Sequence, residues 1–368
     1  MQFRNYSDVS VAFDPVCNVI CGENGQGKTN LLEAVVYLSC GRSPRTHTER
    51  EMLQFGCREA SLRGLVAAQG RDFQIDIALA EGKRKKISIN RVPAKRASDL
   101  SEIFGTVFFC PDDLQLIRAG AAARRKFMDT SLCQLRPRYA AALAEYARLY
   151  EHKTRILRDS EENPQLLKTL PDFNERMAVQ GAILIYYRAR YSERLQEYAA
   201  RAHRECSGGR EELAISYETV KTVVDPFVSA GEIAEQLRIH QKNHEQAELA
   251  SRLCLSGPHK DDLSIAIGGR DARQFASQGQ ARTAALSLKL AERDIFREIT
   301  GETPILLLDD VLSELDVHRQ EFVLNRISGG QVFISCCEED RLSTLLGGKV
   351  FRVREGTVES CICTSETT

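Results

Sequence analysis

Apolar residues near the start of the chain come in short runs separated by polar turns: Val9 to Phe13, then VCNVIC ending at Cys21, then the glycine-rich GENGQGKT, then the periodic TNLLEAVVYL. Short runs before a glycine loop, followed by apolar positions at helical spacing, predict strand, loop and helix in that order. Strand-like runs at 61–66, 73–79 and 86–90 predict an antiparallel meander beside this first unit. From about Pro111 to Ser251 the period changes. Tyr139, Leu143, Tyr146, Tyr150 and Leu157 recur at helical spacing, as do Phe173, Met177, Leu184, Tyr191, Leu195 and Tyr198, so amphipathic helices are predicted there. Breaks fall at SEENPQ, around Pro171 and at CSGGREE. A strand pattern returns at Leu263 to Ile267, the polar turn in ARQFASQGQARTAAL opens a helix expected over 278–296, and PILLLDDVLSELD, QVFIS and VFRVREG follow. The pattern predicts an α/β lobe formed by residues 1–110 and 252–368, with a mainly helical lobe, 111–251, inserted into it.

Composition narrows the picture only a little. The 368 residues are 27% charged and 43% hydrophobic with a net charge of -1, which fits a folded globular chain long enough for two or three structural units. A balanced total leaves room for a local basic face. Lys83, Arg84, Lys85, Lys86, Arg91, Lys95 and Arg96 are the densest such run. Twelve cysteines without CxxC or other zinc spacing read as reduced thiols. The first residues lack the apolar core of a signal peptide, and no stretch reaches the roughly 20 apolar residues of a membrane span. The expectation is a cytoplasmic protein without a membrane partner.

Two segments carry chemistry. Gly22 to Thr29, GENGQGKT, fits G-x-x-x-x-G-K-[ST] in full, with a strand pattern before it and a helix pattern after it. Its glycines let the backbone wrap phosphates, Lys28 reaches the β- and γ-phosphates, and the Thr29 hydroxyl can bind Mg²⁺. Four apolar residues, Ile305 to Leu308, lead into Asp309 and Asp310. Carboxylates at the end of a buried strand are costly unless they meet a cation or a polarised water, so Asp309 is the expected metal carboxylate. Asp310 is placed to orient or deprotonate an attacking water. The start of the 278–296 helix, at Ser277 and Gly279, is a second position where bare backbone N–H groups suit an anion; read alone, it is better explained as an ordinary N-cap, because Ser-x-Gly turns are common.

FASQGQ followed by LLLDDVLSELD resembles the signature loop, Walker B strand and D-loop of the ABC-type ATPase superfamily. More closely, NGQGKTNLLEAVVYLS, GRSPRT, FFCPDDLQLI with RRKFMD, GPHKDD, SQGQARTAALSLKLA and LLLDDVLSELD stand in the order of the RecF family of bacterial recombination proteins, over most of the chain. The resemblance implies an α/β fold: an ABC-type P-loop ATPase head with an inserted helical lobe. It implies ATP and Mg²⁺ as cofactors, held by Gly22, Glu23, Asn24, Gly25, Gln26, Gly27, Lys28 and Thr29, with Asp309 on the metal and Asp310 and Lys28 catalytic. Ser277, Gln278 and Gly279 become a cap on the γ-phosphate of a partner chain, with Ser313 and Asp316 in the D-loop. In the family an ATP-dependent homodimer binds double-stranded or gapped DNA and works with RecO and RecR to load RecA.

The chain departs from transport ATPases at Asp310, where they carry glutamate, and at ISCCEED, where they carry a switch histidine; slow hydrolysis acting as a timer is expected. Gln115 is the nearest candidate for a Q-loop residue. Two other readings are an energising subunit of a membrane transporter and a P-loop kinase for a small molecule. The first needs a switch histidine and a clear Q-loop, and the second needs a mobile Arg-bearing lid. Among weaker signals, His240 and His244 read as a solvated helix face, GPHKDD around His259 as a turn, and the 83–96 run as a solvated hairpin edge first and a contact for DNA phosphates second, with Arg124, Arg125 and Lys126 weighed no higher as DNA contacts.

Overall fold

The computed structural model describes residues 2–46, 48–327, 329–337 and 348–363. Its strands, in chain order, are β1 (Cys17–Cys21), β2 (Glu59–Ala68), β3 (Arg71–Ala80), β4 (Lys86–Ile89), β5 (Val92–Pro93), β6 (Thr106–Phe109), β7 (Leu213–Glu218), β8 (Asp262–Ile267), β9 (Arg270–Asp271), β10 (Ile305–Leu308), β11 (Val332–Cys336), β12 (Gly348–Arg354) and β13 (Thr357–Cys363). The chain divides into one unit made of Met1–Asp113 with Glu292–Thr368 and another made of Leu114–Ala291.

In the first unit a 6-stranded sheet has the order β13-β12-β1-β11-β10-β6. All pairings are parallel except β12 with β13. Every residue of β1 is buried, as a parallel strand covered on both faces must be. The helix Lys28–Cys40 packs two ways. Leu31, Leu32 and Val36 meet Ile20, Leu307, Phe333 and Phe351 from the parallel sheet. Tyr37 enters a second core with Phe3, Met52, Ile75, Ile77 and Leu100. That second core is closed by the antiparallel sheet β2-β3-β4-β5, whose β3 alternates Ile75, Ile77 and Leu79 inward as a one-sided sheet requires. The expected meander is therefore present.

Val9 to Phe13, expected as a strand, has no ladder partner. Its alternation serves packing: Phe13 meets Phe333 and Phe351 edge-on, with ring centroids 4.8 and 5.4 Å apart, which gives burial without a sheet.

The second unit carries the helices Ala121–Leu135, Pro137–Asp159, Leu170–Cys206 and Ala230–Ser251. Pro171 lies in the first turn of Leu170–Cys206, where proline needs no N–H partner, so it starts a helix. Ser229 and Glu232 form a reciprocal capping box at Ala230–Ser251. The lower boundary of this unit lies close to the expected residue 111. The upper boundary does not lie at 251: β8 pairs antiparallel with β7, which joins 262–267 to the helical unit, and the division falls inside the helix Gln278–Thr300.

A buried ionic cluster lies at GPHKDD. The Arg188 guanidinium, 3% exposed, donates to Asp261 Oδ2 at 2.9 Å, to Pro258 O at 2.8 Å and to Asp129 Oδ1 at 2.8 Å. Tyr217 and Thr219 also donate to the Asp261 carboxylate. Arg124, weighed as a DNA contact, is instead buried and holds Asp262 with both arms of its fork, at 2.7 and 2.8 Å. Arg125 donates to Asp261 O at 2.6 Å. His259, read as part of a turn, bonds Tyr146 Oη through Nδ1 and Cys254 O through Nε2, and burial holds it at about 4. His240 is buried on Thr222 Oγ1, 2.7 Å away, so the solvated reading fails for it. The ordering force here is burial of paired polar groups.

Candidate functional site

The site grows out of β1. A fully buried strand ends at Cys21, and the loop Gly22–Gly27 turns the chain into the helix Lys28–Cys40. Gly22 has φ +154°, and a Cβ on it would lie 2.4 Å from Val353 O. Only glycine fits. Gly27 precedes the helix at φ +119° without a side-chain cap, so the first-turn amides are left for an anion. No acidic residue sits in that turn.

Contacts that sequence reasoning missed brace the loop from outside. Asn5 Nδ2 donates to Gln26 O at 2.8 Å and Tyr6 Oη to Gly27 O at 3.0 Å. The Glu355 N–H donates to Gln26 Oε1 at 2.7 Å. Behind the loop, the buried carboxylate of Glu33 takes Arg4 in a two-armed bond, each at 2.8 Å, and a hydroxyl bond from Ser43 of GRSPRT. Polar residues so far apart in sequence give no local signal, so nothing in their spacing announces these braces.

Inside the loop, Lys28 is 4% exposed and its Nζ donates to Gly22 O at 2.6 Å. It also stands 3.9 Å from Asp310 Oδ1 and 3.6 Å from Cys337 Sγ. The exposed Cys337 thiol donates to Asn24 Oδ1 at 3.2 Å. Thr29 Oγ1 donates to Asp309 Oδ1 at 3.0 Å. Asp309 is 5% exposed, and burial pushes its carboxyl above the usual carboxylate range, against the hydrogen bonds from Ser335 and Thr29 that pull it down. Among the described residues no lysine or arginine lies within ion-pair distance of Asp309. A buried carboxylate beside a threonine hydroxyl, short of positive charge, is the oxygen donor set that suits a hard divalent cation.

Asp310 adopts φ +52°, left-handed for a non-glycine residue. Its N–H donates to Ser335 Oγ at 2.9 Å, and the same hydroxyl donates to Asp309 Oδ1 at 2.8 Å. Ser335 was not singled out from sequence. The register could have found it, because Leu308 pairs with Ile334 and the next residues along are Asp309 and Ser335.

The structure thus brings Gly22–Thr29, Asp309 and Asp310 together in one unit. Ser313 Oγ donates to Asp310 O at 2.8 Å, and Asp316 caps the helix Val317–Arg326 by accepting from Arg319 N. Ser277, Gln278 and Gly279 belong to the other unit, where Ser277 Oγ accepts from Gln280 N and Gln280 Oε1 accepts from Ser277 N. That reciprocal pair is a capping box, and Ser277 and Gln278 are exposed. Gln115 is an exposed residue opening the short helix Gln115–Arg118 of the same unit.

A mostly parallel sheet whose central strand feeds a glycine loop, with an acidic pair ending a strand two places away, defines the head of an ABC-type ATPase. The family model described as RecF/RecN/SMC N terminal domain matches residues 1–357. The DNA replication and repair protein RecF of Lachnoclostridium phytofermentans is 38% identical over 360 residues, 97% of either chain. That of Lactobacillus delbrueckii subsp. bulgaricus is 39% identical, over 93% of this chain and 90% of its own. The solved structure of a recombination mediator protein RecF with ATP, in the RecFOR pathway, superimposes with a TM-score of 0.89 at 34% identity, covering 98% of this chain and 95% of that one. A Smc head domain from Pyrococcus furiosus, at 14% identity and a TM-score of 0.54, shares the fold alone. The chain belongs to the RecF family of DNA replication and repair proteins.

Proposed function

We propose that this chain binds ATP with Mg²⁺, joins a second copy of itself around the nucleotide, and hydrolyses it slowly, so that a dimer held on double-stranded or gapped DNA is released on a timer. The observation that carries this reading is the Thr29–Asp309 pair at the mouth of the loop: a buried carboxylate short of positive charge, with Lys28 close by. Mg²⁺, held by the Thr29 hydroxyl and the Asp309 carboxylate, would offset the negative charge of the phosphates. Lys28 then exchanges its bond to Gly22 O for a phosphate oxygen, at little cost because the ammonium is already in place. Thr29 and Asp309 offer oxygens to the cation, and Asp310 orients the water. The exposed helix start at Ser277 and Gly279 presents amides to the γ-phosphate of the partner's nucleotide. Membership of the RecF family supports cooperation with RecO and RecR in loading RecA, and work in the cytoplasm, as parts of this reading. No described helix is long and apolar enough to cross a membrane.

Light scattering with and without ATP and Mg²⁺, together with titration of a fluorescent ATP analogue, tests the reading. The wild-type chain doubles its molar mass only with both ligands, because nucleotide that binds the dimer alone shifts association by mass action. Ser277→Arg binds nucleotide as before and stays monomeric. Tight ATP binding by a wild-type chain that never dimerises would remove the role in trans and favour a kinase.

Cys337 offers an independent check. Its exposed thiol touches Asn24 and stands next to Lys28, so alkylation with iodoacetamide fills the phosphate cradle. Nucleotide binding falls as Cys337 is modified, and ATP slows that modification, as read by peptide mass spectrometry. Full binding by chains labelled at Cys337 would show that phosphates lie elsewhere.

A further inference from the structure

The acidic pair is held by a third side chain. Ser335 lies in β11, 2% exposed, with its hydroxyl between the two carboxylates: 2.8 Å from Asp309 Oδ1 and 3.3 Å from Asp310 Oδ1. Its oxygen also accepts the Asp310 N–H at 2.9 Å. Asp310 sits at φ +52°, a conformation that L-residues leave unless their surroundings hold them in it. Among the described residues, two hydrogen bonds fix the backbone there: the Ser335 hydroxyl on the Asp310 N–H, and the Ser313 hydroxyl on the Asp310 carbonyl at 2.8 Å. A serine hydroxyl has one proton. Donated to Asp309 Oδ1, it sets the rotamer of the expected metal carboxylate; turned toward Asp310 Oδ1, it sets the other.

We infer that Ser335 is a positioning residue for ATP hydrolysis, acting through Asp309 and Asp310 by holding the left-handed backbone of Asp310 and the side-chain orientation of Asp309. The inference rests on the hydrolytic reading of this site. Ser335 itself has no route to substrate, being buried behind the two aspartates. What it controls is where the Asp310 carboxylate points, and a displacement of about 1 Å at a reacting group is worth up to a hundredfold in rate. Alanine removes the acceptor for the Asp310 N–H and the donor to Asp309, leaving the backbone free to relax into the right-handed region. Threonine keeps the hydroxyl and suits a strand.

The experiment compares wild type, Ser335→Ala and Ser335→Thr for ATP turnover, for the Kd of a fluorescent ATP analogue with Mg²⁺, and for Tm. The expected result is a kcat at least about tenfold lower in Ser335→Ala, with Kd within about threefold of wild type, a Tm close to wild type, and most of the kcat restored in Ser335→Thr. Unchanged turnover in Ser335→Ala overturns the inference alone. So does a joint loss of kcat, affinity and Tm that threonine does not rescue, which is the mark of a packing role. A wild-type chain that binds ATP and never turns it over overturns the hydrolytic reading itself, and this inference with it.

Discussion

Replacing Arg188 with methionine lowers the stability of the 114–291 unit by about 3–5 kcal/mol, the usual cost of stranding a buried charge. The guanidinium is the main positive charge facing Asp261, whose side chain is 0% exposed. Burial pushes the Asp261 carboxyl up, and Arg188 is the largest influence holding it down. Without that partner Asp261 must either stay charged in an apolar surround or take up a proton, and both disfavour the fold. Tyr217 and Thr219 continue to donate to it, but hydroxyls carry no net charge. In thermal unfolding the loss corresponds to a Tm lower by on the order of 10 °C. Arg188→Lys falls between the two, since it keeps the charge and loses the fork that spans Asp129 and Asp261. A Tm within about a degree of wild type in the methionine variant would mean that the cluster is not a keystone.

The second large effect belongs to Lys28. Lys28→Ala weakens ATP binding by at least about a hundredfold, through the loss of charge-assisted bonds worth about 1.5–3 kcal/mol each. ATP-dependent dimerisation is lost with it. The fold persists, because the loop remains braced by Asn5, Tyr6 and Glu355, and circular dichroism is unchanged. An affinity within about threefold of wild type in the folded variant would leave the nucleotide loop without its central residue.

How much of this was legible beforehand depends on the range of each interaction. The loop and the acidic pair could be read directly, because glycines, a lysine, a threonine and two aspartates declare their chemistry within a few residues. The antiparallel meander was legible too, because β3 alternates over a single sheet face. Val9 to Phe13 misled because alternation reports which side is packed, and Phe13 is half-buried against Phe333 and Phe351 without a ladder. The boundary near 251 was misplaced because a strand pattern does not say which strand it will join, and β8 joins β7. Ser335 and the Asn5 and Tyr6 braces were out of reach for a related reason: each is defined by a partner that only the folded register supplies. Arg124 shows the same limit with the opposite sign, a basic residue whose place is an internal ion pair.

The pairing of β1 has a consequence for how the protein is made. Cys17 to Cys21 must find Val332 to Cys336 on one side and Lys349 to Arg352 on the other, so the strand that leads into the loop is synthesised near the beginning and waits for neighbours made near the end. Residues 114–291 are continuous in the chain and can close their core while the ribosome is still working. The first unit cannot: the helix Lys28–Cys40 finds the β2-β3-β4-β5 sheet early through Tyr37, but until β11 emerges the apolar VCNVIC has neither of its neighbouring strands to pair with. Exposed apolar strands of this kind are what chaperones bind and what aggregates when they are scarce. N-terminal fragments that stop short of β11 are for that reason poor substitutes for the full chain.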